Sequence, residues 1–296
     1  MNLNRIITGK IQYIESPDQW YTPPYSNSLF IDDDIKALLD TNCGPSNIDS
    51  FLHQPIDVII NSHFHQDHVW NNYKFTQAEI WAHPKDASAI RSLEVFHDYY
   101  GISQYNEEET EIWEKYREDI DIQPSGVHRE FTDREILDFG STQIQVIHTP
   151  GHSPGHCCFL IGDSILFSTD FGLNAFGPWY GHPCSDITDL INSLKLCIEL
   201  NPSMVIPSHR PIITKDIPQK LQKYLNVIYF REERLLEILK RPSTLDELRD
   251  LFICFGSSWH NYPPRKAFEK FFILAHLKRL LSLGEIKQTD NQYYIS

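Results

Sequence analysis

The sequence predicts an α+β fold in which a large sheet-containing domain precedes a small helical domain. Short β-branched runs separated by Gly, Pro and Asn turns dominate residues 1–217, whereas helical periodicity dominates residues 218–296. The chain has 296 residues, of which 41% are hydrophobic, and this is enough for one large domain and one small domain. We therefore place a domain boundary at residue 217.

Short strands bounded by turn residues account for most of the first part of the chain. We expect them at 6–14, 27–31, 35–39, 56–60 and 80–83. Residues 85–130 hold few β-branched residues and an acidic run, which is typical of a helical insertion. This insertion is either a lid with aromatic residues facing a substrate, or a helical insertion that packs on the surface of the protein or in a homodimer interface.

Strand periodicity returns in the second part of the chain and then gives way to helices. Strands are expected at 142–148, 157–161, 164–168 and 204–206, with an amphipathic helix at 185–200. Beyond residue 217, helices are expected at 221–239, 243–248 and 268–283, followed by a hairpin at 285–294. Three helices closing with a hairpin form the arrangement of a winged helix, so we expect a winged-helix-like domain over 218–296.

The net charge of −14 is unevenly distributed along the chain. Residues 1–217 carry 13 basic and 31 acidic residues, whereas residues 218–296 carry 13 and 9. An acidic body repels phosphate backbones, which disfavours nucleic acid as a partner, and no apolar run reaches the length of a membrane span. The start lacks an apolar signal core and the six cysteines form no CxxC pair, so a cytoplasmic location is expected.

The strongest motif is His63-x-His65-x-Asp67-His68, which directly follows the strand predicted at 56–60. Two imidazoles separated by one residue at a strand end can bind the same divalent cation, and Asp67 and His68 can face a second cation. Imidazole nitrogen and carboxylate oxygen suit zinc, and also iron or manganese.

Three further ligand-type residues follow other predicted strands. His152 lies in a Thr-Pro-Gly-His turn, Asp170 ends the strand around 164–168, and His209 follows the last short strand. Loops at one edge of a sheet can converge, so we expect these residues to join the first motif. One bridging carboxylate would then complete two metal sites and leave an open position for water.

In their order along the chain, these motifs resemble the metallo-β-lactamase superfamily of hydrolases over about residues 1–215. The resemblance implies a four-layer αβ/βα sandwich with the site at one sheet edge. It also implies two metal sites with one bridging carboxylate: His63, His65 and His152 at the first, Asp67, His68 and His209 at the second, and Asp170 between them.

Differences between this sequence and particular branches of that family limit the reactions that we expect the chain to catalyse. Zinc β-lactamases use a cysteine in place of one ligand, so His68 and Asp170 disfavour antibiotic hydrolysis. The oxygen-reducing di-iron members carry Glu where this chain has His65, which disfavours redox chemistry. The ligand set resembles that of glyoxalase II, the quorum-sensing lactonases and the ribonuclease branch. The C-terminal segment resembles the winged-helix extension of one hydrolase subgroup that includes an endoribonuclease.

The leading hypothesis is a dinuclear metal-dependent hydrolase that uses a metal-bridging hydroxide on a small ester, thioester or lactone. Asp67 is the expected catalytic residue, because it can ligate a metal and also orient the nucleophile or carry its proton. A phosphodiesterase or endoribonuclease of the same fold is one alternative. A non-catalytic regulator that binds a ligand is the other.

Four further histidines have less definite roles. His156 is expected to be a hydrogen-bonding loop residue, His148 to pack at its strand end, and His83 to be structural. His182 follows Asp170 closely, and it either lines the pocket or packs among its aromatic neighbours.

Overall fold

The computed structural model describes residues 5–17, 25–120, 122–256 and 265–296, and the side chains of residues 116–120 are not described. The remaining stretches, 1–4, 18–24, 121 and 257–264, fall within the predicted domains but lie outside the described residues. Two sheets pack face to face with helices on both outer faces, which gives the four layers expected from the sequence.

The first sheet has seven strands that pair in chain order. Its strands are β1 (Arg5–Thr8), β2 (Ile11–Ile14), β3 (Ser28–Asp32), β4 (Lys36–Leu39), β5 (Val58–Ile60), β6 (Glu79–Ala82) and β7 (Arg129–Glu130). Strands β1 to β4 are antiparallel, and β4 to β7 are parallel. The run predicted at 6–14 is two strands rather than one, because Gly9 adopts a φ of 48° and turns the chain.

The second sheet has five strands in the order β12-β11-β10-β9-β8. They are β8 (Ile136–Asp138), β9 (Gln143–His148), β10 (Cys157–Ile161), β11 (Ile165–Thr169) and β12 (Met204–Pro207). Strand β10 is antiparallel to both β9 and β11, while β11 is parallel to β12. Strands β9, β11 and β12 therefore run in one direction and end at the same edge of the sheet.

Helices occupy the connections between these strands and the C-terminal region. They are α1 (Pro45–Leu52), α2 (Gln66–Val69), α3 (Pro84–Arg91), α4 (Leu93–Tyr100), α5 (Glu107–Ile120), α6 (Ile187–Leu200), α7 (Ile217–Ile238), α8 (Leu245–Asp250) and α9 (Arg265–Ser282). A third sheet, ordered β13-β15-β14, contains β13 (Ser243–Thr244), β14 (Ile286–Thr289) and β15 (Gln292–Ile295). In the part of the chain that the structure describes, no helix is long and apolar enough to cross a membrane.

The C-terminal helices share a hydrophobic core with the outer face of the second sheet. Leu221 of α7 and Phe272 of α9 belong to the same buried cluster as Leu166, Leu190 and Val205. The predicted helices and hairpin are therefore present and pack directly on the sheet-containing part. The winged-helix assignment and the boundary at residue 217 stay predictions.

Candidate metal centre

The carboxyl ends of strands from both sheets meet at one edge of the sandwich. The loops after β5, β9, β11 and β12 bring all seven predicted ligands together there. They form two groups, and the ligand atoms of each group lie within 4.8 Å of one another. The first group contains His63, His65, His152 and Asp170, and the second contains Asp67, His68, Asp170 and His209.

Three imidazoles and one carboxylate oxygen face each other in the first group. His63 Nε2 lies 3.1 Å from His65 Nδ1 and 3.2 Å from His152 Nε2. Asp170 Oδ2 lies 3.2 Å from His152 Nε2. Burial lowers the pKa of both His63 and His65 well below the ordinary value for histidine. These two imidazoles are therefore neutral at pH 7, which is the form that binds a cation.

The second group is richer in carboxylate. His209 Nε2 lies 3.0 Å from Asp67 Oδ2, and His68 Nε2 lies 2.9 Å from Asp170 Oδ1. Burial lowers the pKa of His209, but the carboxylates of Asp170 and Asp67 outweigh it and raise that pKa to about 10. Negative charge is thus concentrated where a cation would be held.

The geometry of Asp170 fits a pair of ions. Its Oδ2 atom faces the first group and its Oδ1 atom faces the second. His68 Nε2 and Asp170 Oδ1 are buried and make no hydrogen bond with the described residues, although they lie 2.9 Å apart. Two ligands of the same ion have this relationship, and nitrogen and oxygen donors suit divalent first-row metals. The fold and the donor set together imply bound divalent metal ions.

Asp40 contacts a histidine of the second group without belonging to that group. It was not among the residues predicted from the sequence. It follows β4, is fully buried, and its Oδ2 atom lies 2.7 Å from His68 Nδ1. The backbone N–H and the hydroxyl of Ser62 also donate to its two oxygens, both at 2.8 Å. A carboxylate behind a ligating histidine fixes the tautomer and leaves the other ring nitrogen free for the metal.

Asp86 joins the two loops that carry the histidines of the first group, and it was also missed. This buried carboxylate accepts hydrogen bonds from Phe64 N at 3.1 Å, Ser153 Oγ at 2.6 Å and Gly155 N at 2.6 Å. Burial raises the pKa of Asp86 to about 6, although the three hydrogen bonds oppose this effect. Residue 155 must be glycine here, since a Cβ atom would lie 2.7 Å from the Asp86 carboxyl.

The four further histidines considered in the sequence analysis belong to neither ligand group. His156 is buried, and its Nε2 atom lies 2.6 Å from Thr169 Oγ1. His148 stacks on His83 with the ring centroids 4.0 Å apart. His182 is buried beside His65, at 4.9 Å between ring centroids.

The two groups differ in their exposure to solvent. The side chains of His63, His152 and His68 are 0%, 2% and 0% exposed, whereas those of His209 and Asp67 in the second group are 22% and 10% exposed, and that of the shared Asp170 is 11% exposed. In the part of the chain that the structure describes, solvent therefore reaches the centre over the second group. The first group lies deeper and is covered by aromatic side chains.

The insertion and the C-terminal helices both contribute to this cover. Tyr100, at the end of α4, packs against His65 at 5.5 Å and its hydroxyl donates to Gln66 Oε1. The loop after Asp170 is tied to α7 by Arg231, which donates to Phe176 O at 2.7 Å and to the Tyr180 hydroxyl at 2.8 Å. The insertion thus contacts a ligand directly, and the C-terminal helices contact the loop that follows Asp170.

Comparison with known proteins agrees with this architecture. A model of the Metallo-beta-lactamase superfamily matches residues 21–209. The chain is 23% identical over 242 residues to a Beta-lactamase-like protein 2 homolog of Drosophila melanogaster, which covers 81% of this chain and 74% of that protein. It is 29% identical over 125 residues to an atrochrysone carboxyl ACP thioesterase of Aspergillus fumigatus, covering 41% of this chain and 28% of the relative.

Two solved structures extend the likeness to nearly the whole chain. A metallo-beta-lactamase family protein from Thermus thermophilus superposes with a TM-score of 0.77 at 22% identity, covering 98% of this chain and 100% of that one. A Beta-lactamase domain protein from Burkholderia ambifaria superposes with a TM-score of 0.72 at 15% identity, covering 99% and 93%. With the family match over residues 21–209, the chain belongs to the metallo-beta-lactamase superfamily, whose members are generally hydrolases.

Proposed function

We propose that this chain is a dinuclear metal-dependent hydrolase that cleaves a small ester, thioester or lactone with water. The observation that carries the proposal is the arrangement of seven ligand-type residues in two groups that share Asp170. Zinc is the proposed metal, because imidazole nitrogens and carboxylate oxygens are ligands that it binds in other proteins. Iron and manganese are the alternatives.

A pair of divalent ions, when bound, lowers the pKa of water from about 15.7 to about 7 and stabilises charge that develops on the substrate oxygen. The residues of the chain hold and orient the reacting groups. Asp67 is a proposed ligand of the second group, and its side chain is one of the three that reach solvent. We assign Asp67 the role of orienting the attacking water and accepting its proton.

The direction of access supports a small substrate that approaches over the second group. His209 is the most exposed of the ligands, whereas Tyr100 and His182 cover the first group. A relative named as a thioesterase favours acyl substrates within the proposed class.

An endoribonuclease activity is less well supported by the packing of the C-terminal unit. In winged-helix and helix-turn-helix proteins, a recognition helix enters a DNA groove with a free face. Here α9 buries Phe268, Phe272 and Leu277 against the rest of the molecule. The C-terminal unit therefore packs against the sheet-containing part of the chain, and we favour acyl substrates over nucleic acid.

The test is an activity screen of metal-reconstituted protein against thioesters, lactones, carboxylic esters and bis-p-nitrophenyl phosphate. We expect acyl substrates to be cleaved, and Asp67→Asn to remove the activity while the chain stays folded. A matched control is Asp57→Asn, a carboxylate outside the two ligand groups. Cleavage of the phosphodiester alone, or full activity in Asp67→Asn, would contradict the proposal.

A further inference from the structure

Two buried nitrogen atoms next to the first ligand group have no hydrogen-bond partner among the described residues. They are His65 Nε2 and His182 Nδ1. The two rings are neighbours, with centroids 4.9 Å apart and planes inclined at 61°, but in this orientation the two nitrogen atoms do not hydrogen-bond to each other. A buried polar atom without a partner costs about 1–3 kcal/mol, so two such atoms on adjacent rings require an explanation.

The contacts of each ring determine which nitrogen can donate. His65 Nδ1 faces His63 Nε2 at 3.1 Å and therefore points into the ligand group. A histidine that ligates through Nδ1 carries its proton on Nε2, which then needs an acceptor. On His182, the backbone carbonyl of Tyr100 accepts a hydrogen bond from the imidazole. Since Nδ1 has no partner, that bond falls on Nε2, and His182 Nδ1 is left as an acceptor.

The His182 ring is held in place by three separate parts of the chain. Tyr100 of α4 lies 4.2 Å away between ring centroids, Trp179 of the same loop lies at 5.9 Å, and Phe268 of α9 lies at 5.6 Å. The ring is only 4% exposed. The insertion and the C-terminal unit therefore meet on this one imidazole.

We propose that His182 is a positioning residue for the metal centre: a small turn of its ring lets Nδ1 accept a hydrogen bond from His65 Nε2, which then holds the Nδ1 atom of His65 toward the first metal ion. The polar chain would run from the Tyr100 carbonyl through His182 to His65. The proposal rests on the proposed metal-dependent function, and it gives the insertion and the C-terminal unit a shared role.

The test measures ion affinity rather than turnover, in full-length protein. In a His209→Ala background, which leaves the first group intact, Co²⁺ is titrated against a competing chelator and followed by its visible absorption. His182→Phe keeps a buried ring but removes the acceptor, and we expect it to weaken Co²⁺ binding about 10- to 100-fold. His182→Asn places an amide oxygen near the position of Nδ1, and we expect it to retain most of the affinity.

Phe268→Leu is the control, because it removes an aromatic contact from the same ring and leaves the acceptor. We expect it to bind Co²⁺ as the parent does. The proposal is overturned if His182→Phe binds Co²⁺ like the parent, or if Phe268→Leu weakens binding as much as His182→Phe. Ion affinity is measured without substrate, so protein that binds ions but hydrolyses nothing would end the proposed function and leave this proposal standing.

Discussion

Replacing Asp40 by Asn tests how the second ligand group is held. Asp40 presents two acceptor oxygens to three groups: the backbone and hydroxyl of Ser62, and Nδ1 of His68 at 2.7 Å. An amide offers one acceptor and one donor. If the Asn oxygen accepts from the Ser62 backbone, its NH₂ group faces His68 Nδ1 and donates to it. The proton of His68 then moves to Nε2, the atom that faces Asp170.

The size of the effect follows from this change of tautomer. Loss of a carboxylate behind a ligating histidine typically weakens metal binding 10- to 100-fold, which corresponds to about 1.4–2.7 kcal/mol. We expect the loss to fall mainly on the second ion, because Asp40 contacts His68 directly but reaches His63 of the first group only through the Ser62 hydroxyl. The metal content of dialysed Asp40→Asn protein should therefore approach one ion per chain instead of two.

Mass spectrometry of the metal content and competitive Zn²⁺ titration test this prediction. Asp33→Asn is the matched control, since Asp33 also has a fully buried side chain and binds Lys10 and Ser141 far from the ligands. Unfolding of the metal-free forms separates stability from affinity. Retention of two tightly bound ions in Asp40→Asn, or equal weakening of both ions, would refute the tautomer argument.

Three further predictions concern stability. Asp86→Asn should lower the free energy of unfolding by about 1–3 kcal/mol and weaken binding of the first ion, because one of the three groups that donate to Asp86 loses its acceptor. An unchanged urea unfolding curve would contradict this prediction. Arg231→Met should cost on the order of 3 kcal/mol in the same assay, since it removes the hydrogen bonds that Arg231 donates to the Phe176 and Cys254 carbonyls and one of the two that the Tyr180 hydroxyl makes, and a neutral result would count against it. Burial, with the neighbouring His148, lowers the pKa of His83 to about 4. The unfolded chain therefore binds a proton that the folded chain does not, and His83 should contribute about 1–2 kcal/mol to the fall in unfolding free energy between pH 7 and pH 5. His83→Gln should reduce the fall by this amount, and an unaltered slope would show that other groups cause it.

The convergence of the seven candidate ligands was predictable from sequence because their motifs follow buried strands. His63, His152, Asp170 and His209 come at the carboxyl ends of β5, β9, β11 and β12 or in the loops after them, and the parallel direction of these strands brings their ends to one edge. Local patterning of hydrophobic residues is enough to find such strand ends.

The supporting residues were not predictable because their partners are distant in sequence. Asp40 reaches His68 across 28 positions, and Asp86 reaches Gly155 across 69. A single aspartate after a strand or in the first turn of a helix carries no local sign of such a contact. For the same reason, the sequence allows two interpretations of His182, as a pocket residue or as part of an aromatic cluster. Its neighbours Tyr100 and Phe268 come from two other parts of the chain.

The unequal exposure of the two ligand groups has a kinetic consequence. An ion held by the second group can leave once His209, which reaches solvent, turns away. An ion in the first group can leave only when the aromatic cover formed by Tyr100 and His182 moves aside. We therefore expect isotope exchange to occur in two phases, with the outer position following the metals supplied during growth and the inner position keeping the ion it acquired first.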